Sequence, residues 1–220
     1  MKILKLAAQW VISILTPLVL LMTAINLLIS PAFAIIEYQM PGFPEDRYGF
    51  SQEDRMAFSR YAINYLRNQE GIEYLGDLTF QDGTPLYNER ELSHMLDVKI
   101  LVQQMIRFWY AALAVIILFG FIWIKRGWQN ELWKGMQRGA YITVGLIAAV
   151  LLAVVTSFSS LFTAFHRIFF EGSTWIFEYS DTLIRLFPMR FWQDAFIFVG
   201  GFTLLGAGLI ILLSQRFARS

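Results

Sequence analysis

The chain has no cysteine, which excludes disulfides, thiolate metal sites and a cysteine nucleophile. Histidine is nearly as scarce, with His94 and His166 the only two in 220 residues, so any imidazole chemistry falls on them. Charge is sparse too. Asp, Glu, Lys and Arg make up 16% of the chain, against about a quarter in soluble domains. The net charge of +1 creates no field that would draw a nucleic acid, and no nucleic-acid partner is expected. No Gly-x-Ser-x-Gly elbow, no His-Glu-x-x-His zinc motif and no glycine-rich phosphate loop occurs. Two histidines with carboxylates could hold a metal, but nothing in their spacing demands one, and neither metal nor cofactor is expected.

What is present is apolar. Hydrophobic residues make up 56% of the chain and the mean hydropathy is +0.50. A helix needs about 20 mostly apolar residues to cross the hydrocarbon core. Four stretches qualify, at about residues 6–30, 101–124, 141–164 and 195–214. The expected fold is therefore an all-α polytopic membrane protein, one membrane domain over residues 1–220. Pro31 stops or kinks the first span. The fourth carries Gly200, Gly201, Gly206 and Gly208, small residues that let a neighbouring helix approach closely.

Positive charge sets the orientation. Lys2 and Lys5 precede the first span, and Lys125, Arg126, Lys134 and Arg138 fill the link between the second and third. Arg216 and Arg219 follow the fourth. Residues 37–97 are acidic on balance. Both termini are thus expected in the cytoplasm, with about 37–97 and 165–194 outside. Lys2, Lys5, the first apolar run and Ala32-Phe33-Ala34 also resemble a cleavable signal peptide. The run exceeds the usual 7–15-residue apolar region of such peptides, which favours a retained anchor.

The first outer segment reads as a small cap. Ser51 with Asp54 is a variant capping box, followed by an imperfect amphipathic helix to about Asn68. Asp77 to Tyr87 reads as a short β-hairpin about Asp82-Gly83, with Pro85 confined to an edge. Asn88 and Glu91 form another cap-like pair, starting a helix that continues into the second span. The second outer segment is rich in aromatics, among them Phe165, Phe170, Trp175 and Phe177. Composition favours an interfacial aromatic belt, a reading compatible with a lined entrance for acyl chains.

Both histidines fall near the outer headgroup level. His94 lies roughly 10 Å before Leu101 on a straight helix, and His166 just beyond the third span. They meet only if the outer segments fold together. His94 shares a helix face with Arg90, Glu91 and Asp97, and a carboxylate beside an imidazole can fix its tautomer. Glu91 and Asp97 are therefore candidate orienting groups. The same arrangement suits a helix salt-bridged to itself. Lys99, Gln103 and Arg107 form a second stripe, with Arg107 inside the outer leaflet as a functional candidate or a snorkelling cation. Asp181 and Arg185, four apart, suggest a structural ion pair or a headgroup clamp.

Three segments give these residues a familiar context. Glu89-Arg90-Glu91-Leu92-Ser93-His94-Met95-Leu96-Asp97-Val98-Lys99 resembles a signature of the bacterial lipoprotein intramolecular transacylase (Lit) family. So do Phe162-Thr163-Ala164-Phe165-His166-Arg167-Ile168-Phe169-Phe170 and Asp181-Thr182-Leu183-Ile184-Arg185-Leu186-Phe187-Pro188. Tyr48-Gly49-Phe50-Ser51, with Arg55 and Tyr65-Leu66, is similar to the family's outer segment. The resemblance implies a bacterial cytoplasmic-membrane enzyme acting on a diacylglyceryl lipoprotein among membrane lipids. It implies transfer of the sn-2 acyl chain to the α-amine of the modified cysteine, leaving a lyso-form lipoprotein. It further implies that His94 and His166 are catalytic. From position and spacing alone, Arg107, Arg167, Asp181 and Arg185 are candidate substrate contacts, with Arg167 and Arg185 as secondary donors. An α-amine of pKa about 7.7–8 can pass its proton to an imidazole, and such aminolysis needs no covalent enzyme intermediate. The competing reading is a non-enzymatic envelope protein, a sensor or assembly factor, whose outer cap binds a partner. A transporter is disfavoured because four spans leave little room for paired repeats.

Overall fold

The structure, a computed structural model, describes residues 2–217; Arg219 lies outside the described residues. Among the described residues eight helices follow in order: α1 (Lys2–Leu28), α2 (Pro31–Tyr38), α3 (Gln52–Arg67), α4 (Glu73–Gly76), α5 (Glu89–Lys125), α6 (Gln129–Phe169), α7 (Thr182–Leu186) and α8 (Met189–Phe217). Four of them, α1, α5, α6 and α8, are long and apolar enough to cross a membrane. The backbone of such a helix satisfies its own polar groups, which hydrocarbon requires. Proline at the first position of α2 suits a helix start, where its missing N–H costs nothing.

Contacts divide the chain into two compact units. One takes in the chain up to Asn26, Met105–Thr156 and the chain from Ile197 on. There α1 and α6 pack backbone to backbone. The Ser13 hydroxyl donates to the Gly135 carbonyl at 3.0 Å, and Gln9 donates to Glu131. A Cβ at Gly139 would come within 2.6 Å of the Thr16 Cβ, so only glycine permits this approach. At Gly206 and Gly200 the same construction meets Leu20 and Leu151, so two of the fourth span's small residues lie where a neighbouring helix comes close.

The other unit holds Leu27–Gln104 and Ser157–Phe196. Its core resembles that of a small soluble domain, with Tyr65, Leu75, Leu86 and Leu186 buried together. The Ser51–Asp54 capping box forms in full and starts α3, whose C-cap is Asn68. That end is held from α5: Lys99 Nζ donates to Asn68 Oδ1 at 2.9 Å, and Gln103 Nε2 to the Asn68 carbonyl at 3.0 Å. The Tyr38 hydroxyl ties α2 to α7 by donating to the Leu186 carbonyl at 2.9 Å.

One local expectation needs correcting, and one helix departs from regular geometry. No strand forms among the described residues where a hairpin is expected, and one isolated bridge joins Thr79 and Pro85. The turn itself is present, with Gly83 at φ +85°, but Pro85 lacks an amide and the ladder does not extend. Nor is α6 regular, because Ser157 leaves helical geometry at φ −159°, ψ 69°. Its hydroxyl engages that of Ser160 at 2.8 Å.

Candidate active site

The second unit brings the two histidines together. His94 sits one turn into α5, whose start is fixed by a reciprocal pair: Asn88 N donates to Glu91 Oε2, and Glu91 N to Asn88 Oδ1. The other Glu91 oxygen accepts the Leu183 amide at 2.7 Å, which docks α7 against α5. His166 lies in the last turn of α6. Its ring centroid is 5.9 Å from that of His94, the planes inclined by 26°. Both are buried, with 7% and 8% of their surface exposed.

Aromatic walls surround the pair. Phe170 and Phe177 meet His94 edge to face at 4.9 and 5.4 Å. Phe162 and Trp175 lie 4.2 and 5.0 Å from His166. Such packing excludes water and strengthens every polar interaction inside.

Hydrogen bonding distinguishes the two imidazoles. His166 Nδ1 lies 2.8 Å from the Phe162 carbonyl oxygen. A carbonyl only accepts, so Nδ1 carries the proton and the neutral ring presents a basic Nε2. His94 Nδ1 is buried without a partner, as are Trp175 Nε1, Thr174 Oγ1 and the Tyr87 hydroxyl, among the described residues. Buried polar atoms are normally paired, and two of these, His94 Nδ1 and Trp175 Nε1, belong to rings packed around His166, which marks capacity left there for a bound molecule.

The remaining residues singled out in the sequence are distributed differently. Glu91 bonds backbone amides rather than an imidazole, so any hold it has on His94 acts through the helix backbone. Asp97 is half-buried, with no hydrogen bond to either histidine among the described residues. Asp181 accepts from Arg90 Nη2 at 2.9 Å and Asn88 Nδ2 at 3.0 Å, not from Arg185. Arg185 instead makes a two-pronged bond to Asp46, Nε and Nη2 each at 3.1 Å from a carboxylate oxygen. It stacks 3.4 Å from the Phe50 ring centroid and edges an open cavity of about 400 Å³ with Tyr48 and Arg55. Arg167 is exposed and lines a second open cavity, of about 570 Å³, with Ser159, Ser160 and Thr163. Arg107 is exposed and belongs to the unit without the histidines. Sequence reasoning missed Asp46 as the partner of Arg185. It took Phe170, Trp175 and Phe177 as a belt or an acyl-chain entrance and not as the walls of the two imidazoles.

With this geometry in view, comparison with known proteins is decisive about kinship. The sequence profile described as "Lipoprotein intramolecular transacylase Lit" matches residues 10–192. The chain belongs to the Lit family. An uncharacterised protein of Aquifex aeolicus (strain VF5) is 28% identical over 214 residues, 95% of each chain. The in meso structure of the Lit transacylase from Bacillus cereus superposes with a TM-score of 0.71 at 18% identity, covering 100% of this chain and 97% of that one. A form of that protein with a histidine replaced by alanine gives 0.76 over 99% and 95%. At that identity the superposition establishes a shared Lit fold. The multi-pass membrane architecture read from the apolar helices agrees with it.

Proposed function

We propose that this Lit-family chain catalyses intramolecular acyl transfer on a diacylglyceryl-cysteine lipoprotein, moving the sn-2 acyl chain to the cysteine α-amine. The observation that carries the proposal is the buried His94–His166 pair, with the His166 tautomer set by the Phe162 carbonyl. In this reading the amine nitrogen attacks the ester carbonyl carbon, and the carbonyl electron pair moves to oxygen. His166 Nε2 takes the proton from the attacking nitrogen. Collapse reforms the carbonyl, breaks the bond to the glyceryl oxygen, and that oxygen receives a proton from an imidazole. His94, facing His166, serves as the acid or as a donor to the developing oxyanion. Amine and ester belong to one molecule, so holding them in register supplies up to roughly 7–11 kcal/mol of the acceleration.

The substrate contacts follow the same reading. Arg167, next to His166 and beside a hydroxyl-lined cavity, engages polar groups of the substrate. Asp181 and Arg185 act by fixing α7 through Arg90 and Asp46, and Glu91 orients His94 by anchoring the helix beneath it. Arg107, Asp97 and the membrane lipids contribute from the spanning region and its edge. By the charge rule both termini lie in the cytoplasm and the histidines face outward, where a lipoprotein is presented.

The test is to incubate the purified protein with a synthetic diacylglyceryl lipopeptide and follow acyl position by mass spectrometry. An equimolar mixture of light and deuterated-chain substrates should give N-acylated lyso products without exchange of label. Unchanged lipopeptide, with a partner protein retained on purification, supports the non-enzymatic reading instead.

A further inference from the structure

Trp175 stands out among the groups that the proposed mechanism leaves unused. It lies in the segment between α6 and α7, with its ring centroid 5.0 Å from that of His166 and the planes inclined by 33°. Its Nε1 is buried and has no acceptor among the described residues. An indole nitrogen is a donor only, so it cannot be satisfied by rotating a proton away or by switching roles. Leaving such a donor buried and unmade carries the full penalty of taking it out of water. Aromatic packing alone does not account for that cost, because phenylalanine would fill much of the same space without it.

If His94 serves as the acid, the chemistry at the adjacent imidazole still needs a donor to the oxyanion. When an amine adds to an ester carbonyl, the oxygen becomes an alkoxide, and it requires donors aimed at it in a dry site. His166 Nδ1 is committed to the Phe162 carbonyl, and its Nε2 is needed as the base. Arg185 gives two of its N–H donors to Asp46 and stacks on Phe50 rather than on either histidine. Besides His94, the donor in ring contact with His166 is the Trp175 indole, whose nitrogen cannot also be called on as acid or base. We infer that Trp175 is a catalytic residue whose Nε1–H donates to the oxyanion of the tetrahedral intermediate formed at the sn-2 ester. The proton stays on nitrogen throughout. The indole binds and releases the oxygen as the carbonyl opens and reforms, and no atom is transferred.

This inference rests on the transacylase reading, and the experiment separates the two. Full-length protein in detergent is assayed with the diacylglyceryl lipopeptide in three forms: wild type, Trp175→Phe, and a form with benzothienylalanine at position 175. The last keeps the bicyclic shape and replaces N–H by sulfur, and it decides the matter if Trp175→Phe fails to fold. Loss of one such donor should lower kcat by about 10²-fold or more, with KM changed by less than about threefold. Affinity for a phosphonate analogue carrying a tetrahedral anionic centre at the sn-2 position should fall by a similar factor. Affinity for the sn-2 ether analogue, which has no carbonyl, should be unchanged. A role in packing alone would instead alter binding of both analogues together. Wild type that converts nothing overturns the parent reading. Wild type that converts, beside a folded variant with undiminished kcat, overturns the role of Trp175 alone.

Discussion

Glu91 reaches from α5 to α7, where its Oε1 accepts the amide of Leu183 at 2.7 Å while its Oε2 closes the start of its own helix. One buried carboxylate thereby fixes the turn that carries His94 and positions the segment that carries Arg185. Thr182 adds a second tie by donating to the Leu86 carbonyl.

Replacing Glu91 by alanine removes the cap and strands a buried amide at once. The expected loss is roughly 2–4 kcal/mol of stability, summing a capping contribution and an unmade buried hydrogen bond. Glu91→Gln keeps one acceptor and should lose less. Thermal unfolding in detergent reads both, and equal melting temperatures for wild type and Glu91→Ala would contradict this role.

The Arg185–Asp46 pair is the best-shielded ion pair among those described, its side chains 9% and 2% exposed. Burial pushes the Asp46 carboxyl up, but the Arg185 hydrogen bonds and the amides of Phe50 and Tyr48 outweigh it and hold the group below its ordinary 3.8. The pair therefore stays ionised above that value, and its contribution is lost only as pH falls through the depressed one. Asp46→Ala leaves a buried guanidinium uncompensated and should cost about 3–5 kcal/mol. Adding Arg185→Met should restore much of the loss. A double variant no more stable than Asp46→Ala argues against the pairing.

Glu37 titrates in the opposite sense. Burial first, then a hydrogen bond to Asp194 and the charge of that neighbour, raise its carboxyl from 4.5 to about 7, against a smaller opposing effect of Arg190. The folded state thus holds this proton more tightly than the unfolded chain does. Stability should decline as pH rises from about 4.5 to about 7 and then level off. Glu37→Gln carries no such proton, so its melting temperature relative to wild type should climb across that window. A difference that is flat from pH 4.5 to 8 would sink the assignment.

Local rules read the helices of this chain well and its long-range pairs poorly. Ser51 with Asp54, and Asn88 with Glu91, announce two helix starts because capping is settled within four residues. The four apolar runs announce the long helices because length and hydropathy suffice. Asp181 and Arg185 mislead for an instructive reason. Asp181 is the N-cap of α7 with extended backbone, so four-residue spacing does not turn its carboxylate toward Arg185. Asp46, 139 residues away, takes that guanidinium instead, and no local pattern reports it. The break at Ser157 has no proline or glycine to signal it. His94 and His166 could be matched by depth, whereas their contact and the tautomer of His166 depend on tertiary packing.

The central claim is that both imidazoles take part in one acyl transfer. It is tested most directly by the initial rate of lipopeptide conversion in His94→Ala and His166→Ala, each checked for an unchanged melting temperature. Both rates should fall by at least about 10²–10⁴-fold, the usual contribution of a positioned acid or base. A well-folded variant of either kind that converts substrate at the wild-type rate contradicts the account.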